Sequence, residues 1–232
     1  MMRRSLMGAA VAVCLVGAGE ANAAVGPDHT VRLRLGLFTP DGEGQYFEGK
    51  ETEFTGEASD FEDIVGGADY LYHAGSRFRF VLSGDVYEGQ TDQEYLDFED
   101  QFGDPIVHTT TLEITSITAG VQVPLAPQNA VVVPYIGGGG GVYTYRLEES
   151  GDFIDFGGDL EIFPATLEAE GSVLGYYFLA GLEVPIGPYF SFFAEGRWDR
   201  ADDELGDDFD DPVFGTLDLS GRRVMGGVSW SF

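Results

Sequence analysis

The sequence predicts an all-β fold, an eight-stranded antiparallel transmembrane β-barrel wound as an up-and-down meander, and three observations carry that prediction. Apolar residues recur at period two in eight runs, as strands require. The connections between the runs alternate between short and long. Runs one, three and seven each have one apolar face and one charged face, which defines the solvent that each side of the sheet meets.

Ahead of the first run, Met1 to Ala23 has the three parts of a secretory signal. These are the charges of Arg3 and Arg4, the apolar stretch "LMGAAVAVCLVGAG", and the small-residue cleavage site "ANA" at 21–23. The stretch is too short to span a membrane, so residues 1–23 are expected to be removed and 24–232 to form the barrel domain. Cys14 is the sequence's one cysteine and lies within the signal, where the preceding Val13 is larger than a lipid-attachment signal places there. The exported chain is then free of disulfides, thiol catalysis and thiolate metal sites.

Run one, 30–39, sets Val31, Leu33, Leu35 and Leu37 against Arg32, Arg34, Gly36 and Phe38. A long connection near 40–60 leads to run two, 61–73, and the tight turn "HAGS" (73–76) leads on to run three, 77–87. In run three, Phe78, Phe80, Leu82, Gly84 and Val86 oppose Arg77, Arg79, Val81, Ser83, Asp85 and Tyr87. The acidic connection 88–107 precedes run four, 108–123, and "PLAPQN" (124–129) precedes run five, 130–146. A further long connection, 147–171, leads to run six, 172–184, which "PIGP" (185–188) joins to run seven, 189–199. There Phe190, Phe192, Ala194, Gly196 and Trp198 oppose Ser191, Phe193, Glu195, Arg197 and Asp199. After 200–216, run eight covers 217–232 and ends with Val228, Trp230 and Phe232 on one face. None of the runs holds a helical period.

Two architectures use such sidedness. A soluble barrel turns the apolar face inward, whereas a membrane barrel turns it to lipid and keeps the charges in the lumen. The runs are long for globular strands and suit tilted spans with extensions beyond the bilayer. Trp198 and Trp230 fall near opposite ends of neighbouring strands, where interfacial aromatics belong. An even strand count returns both termini to one side, with the short turns there and the long connections opposite.

Composition sets further limits. Without Arg3, Arg4 and Glu20, ten basic and 39 acidic residues remain, a formal charge of −29 that repels nucleic acid. Hydrophobic residues at 44% and aromatics at 13% nevertheless exclude a disordered acidic chain.

The signal segment, "VPYIGGGGGVYTY" at 133–145, "GYYFLAGLEVPIGPYFSFFAEGRW" at 175–198 and "LSGRRVMGGVSWSF" at 219–232 together resemble the small outer-membrane β-barrel proteins of Gram-negative bacteria, the group of the OmpA barrel, OmpX and OmpW. The resemblance implies a bacterial outer-membrane location and a monomer in contact with outer-membrane lipid and lipopolysaccharide. It also implies that Val228, Trp230 and Phe232 form the signal that the barrel-insertion machinery reads during assembly. With Phe232 as the last residue, the periplasmic peptidoglycan-binding domain of some members is not expected. The shared fold fixes no shared function.

Four features are candidates for chemistry. Gly137 to Gly141 lacks the Lys–Ser/Thr and the helix of a nucleotide loop, and reads as a wall where large neighbours pack and the sheet curves. Parity sends Arg32, Arg34, Arg77, Arg79, Arg197 and Arg223 into the lumen with Asp69, Asp85, Glu183 and Glu195. Eight strands enclose only enough space for side chains, so these charges are expected to pair as a plug, with a gated ion path as the alternative. His108 in "HTTT" has Thr neighbours but no Ser in register for the triad of a lipid-modifying enzyme, so no catalytic residue is assigned. Acidic residues crowd the long connections, most densely in "DDELGDDFDDP" at 202–212. They read first as a solvated, repulsive surface that keeps the outer rim soluble; the alternative is weak divalent-cation binding, with Asp207, Asp208, Asp210 and Asp211 as calcium ligands, and no other cofactor is expected. The expected role is structural or surface-interacting, with a narrow channel for ions or small solutes as the rival and an enzyme behind it.

Overall fold

A computed structural model describes residues 27–75, 77–155, 160–205 and 215–232. The strands β1 (His29–Pro40), β2 (Asp63–Ala74), β3 (Phe78–Glu99), β4 (Pro105–Pro124), β5 (Val133–Ile154), β6 (Ile162–Pro185), β7 (Phe190–Arg200) and β10 (Gly221–Ser231) close into one barrel. Every neighbouring pair is antiparallel, and β10 seals the barrel against β1 from Thr30↔Ser231 to Pro40↔Gly221. Two short strands, β8 (Asp202–Glu204) and β9 (Thr216–Asp218), pair apart from it. A helix, α1 (Gln45–Glu53), and a 3-10 turn at Ala58–Phe61 occupy the first long connection.

The apolar residues predicted to meet lipid stand on the outside. Leu33, Leu35 and Leu37 of β1, Phe80 and Leu82 of β3, and Phe192 of β7 are all exposed, and Phe178 and Leu182 of β6, to which the sequence reading assigns no face, are exposed with them. Trp230 pairs with Phe190 at one end of β7 and Trp198 pairs with Arg222 near the other, both tryptophans being about half-exposed. From Phe190 to Trp198 a tilted strand rises roughly 20 Å at about 3.3 Å per residue, close to the ~25 Å apolar band of outer-membrane barrels. Hydrocarbon is the solvent that this belt fits.

The wall is uneven. Strands β1, β2, β7 and β10 have 11 or 12 residues, whereas β3 to β6 have 20 to 24. Half of the barrel therefore stands well beyond the lipid belt on the outer side. This corrects the expectation of long loops at 88–107 and 147–171, most of which is paired strand. Above the belt the outward residues Glu88, Gln90, Asp92 and Glu94 meet water, so the apolar alternation fades while the ladder continues through Glu88↔Glu113 to Glu94↔Val107.

Two further expectations are corrected. The connection near 40–60 contains α1, whose backbone pairs within the helix while its side chains pack on β9 and reach β4 and β5. Run eight is broken, because Asp218 Oδ1 accepts the Ser220 N–H at 2.8 Å and turns the chain before β10 begins at Gly221. The glycine run is a close-packed wall: a Cβ on Gly139 would lie 2.2 Å from the Ala119 carbonyl oxygen, and one on Gly141 2.1 Å from that of Ile117.

Candidate functional site

Inward parity converts the alternating sequence of each strand into a column of polar side chains, and the eight columns meet at the barrel axis. At the lower end, Glu183 accepts from Arg32 at 2.7 Å, Arg79 at 2.6 Å and Ser191 Oγ at 2.7 Å. Arg32 also donates to Gln122 Oε1 at 3.3 Å. In the middle, Arg34 meets Asp85 at 2.7 Å, Asp69 at 3.1 Å and Glu195 at 3.4 Å. Tyr135 donates its hydroxyl to Glu195 at 3.0 Å. Higher up, Arg197 and Arg223 both reach Asp85, at 3.4 and 3.1 Å, and Asp199, at 2.8 and 3.0 Å, while Tyr143 donates to Asp199 at 2.6 Å.

All of these charges are buried. Arg32, Arg34, Arg79, Arg197 and Arg223 face Asp69, Asp85, Glu183, Glu195 and Asp199, so the described lumen is balanced in charge. Balance matters because a lone buried ion costs several kcal/mol, about what the missing partner would offset. Ring faces add to it: the Arg197 guanidinium sits 3.9 Å from the centre of the Tyr177 ring and that of Arg32 4.7 Å from Phe193.

The structure brings together nine of the ten residues that the sequence assigned to the lumen. Arg77 is the exception. It lies in the turn ahead of β3 and is exposed, because period-two parity holds only while the chain is a strand. The sequence places Asp199 on the inward face but not among the pairing acids, and the structure binds it to two arginines. Gln122, Tyr135, Tyr143 and Ser191 also join, and their inward parity was the signal available.

Above the ionic layers the lumen turns apolar. Phe38, Phe61, Val65, Tyr87, Leu112 and Met225 form one buried cluster with Tyr46 and Phe47 of α1 and with Leu217 and Leu219. The helix and the β8–β9 pair thus cap the outer mouth. Within the cap, Lys50 Nζ donates to Glu149 of β5 at 2.7 Å and to His108 Nε2 of β4 at 3.2 Å, and lies 4.2 Å from the centre of the Phe54 ring. Tyr46 donates its hydroxyl to the same Glu149. Burial pulls the Lys50 pKa down from its usual value, against the opposing pull of Glu149, and burial together with Glu149 pushes the Tyr46 hydroxyl well up. This latch was not legible in the sequence, because Lys50 and His108 lie in segments with no shared periodicity.

The other sequence-derived candidates fall elsewhere. Val228 and Trp230 are on the outer face of β10, and Phe232 stacks on His29 with ring centres 5.8 Å apart. Asp207, Asp208, Asp210 and Asp211 lie outside the described residues. Among the described residues no group of three or more His, Cys, Asp or Glu is arranged to hold a metal ion.

No protein-family model matches the sequence, and no curated protein matches it significantly. Solved structures match the fold. The outer membrane protein OprG from Pseudomonas aeruginosa superposes with a TM-score of 0.53 at 13% identity, over 89% of this chain and 96% of that one. Neisserial surface protein A gives 0.52 at 13% identity, over 90% of this chain and 100% of the other. The fold, an eight-stranded antiparallel barrel with an apolar outer belt, is the one that these small outer-membrane β-barrel proteins share. At these identities the likeness is one of architecture, and the lumen and cap of this chain carry its individuality.

Proposed function

We propose that the chain is a closed, non-conducting outer-membrane barrel with a structural or surface-interacting role, carried by the parts that stand outside the bilayer. One observation supports this above the rest: the described side chains in the lumen are paired charges below and a buried apolar cluster under α1 above. An ion crossing it would have to break several buried pairs, at a cost of about 3–5 kcal/mol for each charge left alone. The enzyme reading gains no support, since His108 is buried and its Nε2 is engaged by Lys50.

Purified protein in planar bilayers tests the reading. It is expected to give no current steps. Reproducible unitary conductance would overturn it in favour of a narrow channel. Lipid A mass profiles of cells with and without the protein are expected to be the same, and a change dependent on His108 would replace the proposal with a lipid-modifying enzyme.

A further inference from the structure

We propose that the outer tip of the β3–β4 hairpin is a docking surface for a cationic amphipathic peptide segment, one that alternates Lys or Arg with large apolar residues. The inference rests on the surface-interacting role above and names the chemistry of its partner.

The tip is apolar where water is its solvent. Leu96, Phe98 and Val107 are exposed there, and Phe102 is 79% exposed. From Val86, at the top of the lipid belt, to Leu96 the strand climbs roughly 25 Å, so lipid does not cover these side chains. An apolar patch held in water marks a contact surface.

The patch is also built. Between Glu94 and Glu99 the register of β3 on β4 shifts, and the shift opens a cleft of about 520 Å³ lined by Leu96, Phe98, Pro105 and the carboxylates of Glu94, Asp97 and Glu99. Behind it Phe54, Tyr95, Ile106 and Ile154 form a small buried cluster that anchors the hairpin to the segment after α1. At the turn, Asp100 Oδ1 accepts the N–H groups of Phe102 at 2.7 Å and Asp104 at 2.9 Å, and Gly103 takes a φ of 83°. These bonds hold Phe102 out in solvent.

Charge fixes the sign of the occupant. No Lys or Arg occurs between Arg79 and Arg146, so β4 and all of β3 beyond Arg79 carry no cationic side chain except through protonation of His108. Lys50, across the cap, is buried and bonded to Glu149. An apolar partner of neutral or acidic character would bury the tip's carboxylates without compensation, whereas a cationic one pairs with them while its apolar residues cover Leu96, Phe98 and Phe102.

The test uses the full barrel in nanodiscs of zwitterionic lipid, a labelled synthetic peptide of alternating Lys and Leu, and fluorescence anisotropy at physiological salt, with empty nanodiscs as the reference. The peptide is expected to bind the protein above that reference, and oligolysine of equal charge to bind about tenfold more weakly. Substituting Leu96→Ser, Phe98→Ser and Phe102→Ser together is expected to lower affinity for the alternating peptide about tenfold. The single change Phe102→Ser, in an exposed turn where it leaves the barrel folded, lowers it in the same direction. Neutralising Glu168 and Glu170 on β6 leaves it unchanged. Equal binding of oligolysine, equal binding by the triple variant, or binding no better than to empty nanodiscs would each overturn the proposal. None of these outcomes bears on conductance, so the closed-lumen reading stands or falls separately.

Discussion

Lys50 is the sequence's one lysine, and the protein buries it between a carboxylate, an imidazole and two rings. Glu149→Gln is expected to leave that ammonium without its counter-charge and to loosen the cap by about 3–5 kcal/mol, whereas Glu149→Leu with Lys50→Met recovers much of the loss. Amide exchange over 45–61, read variant by variant, checks both. The same pair sets a pH dependence. Because folding lowers the Lys50 pKa, cap stability rises with pH as the window below lysine's ordinary 10.5 is crossed. Because folding raises that of Tyr46, stability falls once the pH passes tyrosine's ordinary 10.0. Protection of α1, corrected for intrinsic exchange, is expected to peak near about pH 10. On the lipid face, Leu82 is 54% exposed at mid-belt, and Leu82→Arg is expected to cost about 2–4 kcal/mol in reversible folding into bilayers, against little for Leu82→Ile. Residues such as Leu82 and Arg34 were legible because strand parity alone assigns them. Parity misplaces Arg77 because its turn has no strand period, and the partners of Lys50 leave no mark in the sequence because tertiary packing alone joins α1 to β4 and β5.

Among the elements, the contrast lies between the parts that lipid disciplines and the parts that water does not. Inside the belt, an outward position must be apolar and an inward one must fit the lumen, so β1, β7 and the lower halves of β3 to β6 are written plainly in the sequence. Beyond it, Glu113, Thr144 and Ser172 face outward as freely as Glu88 does, and the same strands lose their signature while keeping their ladders. The helix α1 escapes the sequence reading for a related reason: "QYFEGKETE" follows Gly44, which offers no side-chain cap, and shows no apolar stripe, so Tyr46 and Phe47 define it through what they pack on. The β4–β5 wall offers a sharper prediction. Gly141→Val would place side-chain atoms against the Ile117 carbonyl, where only a shift of the strand makes room, and is expected to reduce the folded fraction on unboiled gels. Gly187→Ala, in an open turn with no atom within 4 Å of a new Cβ, is expected to leave it unaltered.

For the molecule as a whole, charge is sorted by solvent. Five arginines and five carboxylates pair inside, Lys50 and Glu149 pair beneath the cap, and most of the remaining acidic residues stand outside with Arg146, Arg200 and Arg222 as their described counter-charges. Boiled and unboiled samples are expected to migrate differently on a detergent gel, as a closed barrel resists unfolding by the detergent until heated. The pairs that fill the lumen join distant parts of the chain: Arg32 to Glu183, Arg34 to Glu195, Arg223 to Asp85. A passage packed this way is shut to the protein's own segments as much as to solutes. The stretch that becomes α1 and the one that becomes β8 and β9 must therefore reach the far side of the membrane while the strands are still apart, and the salt bridges can lock only behind them. The filled interior imposes an order of events: the outside is delivered first, and the door is bolted last.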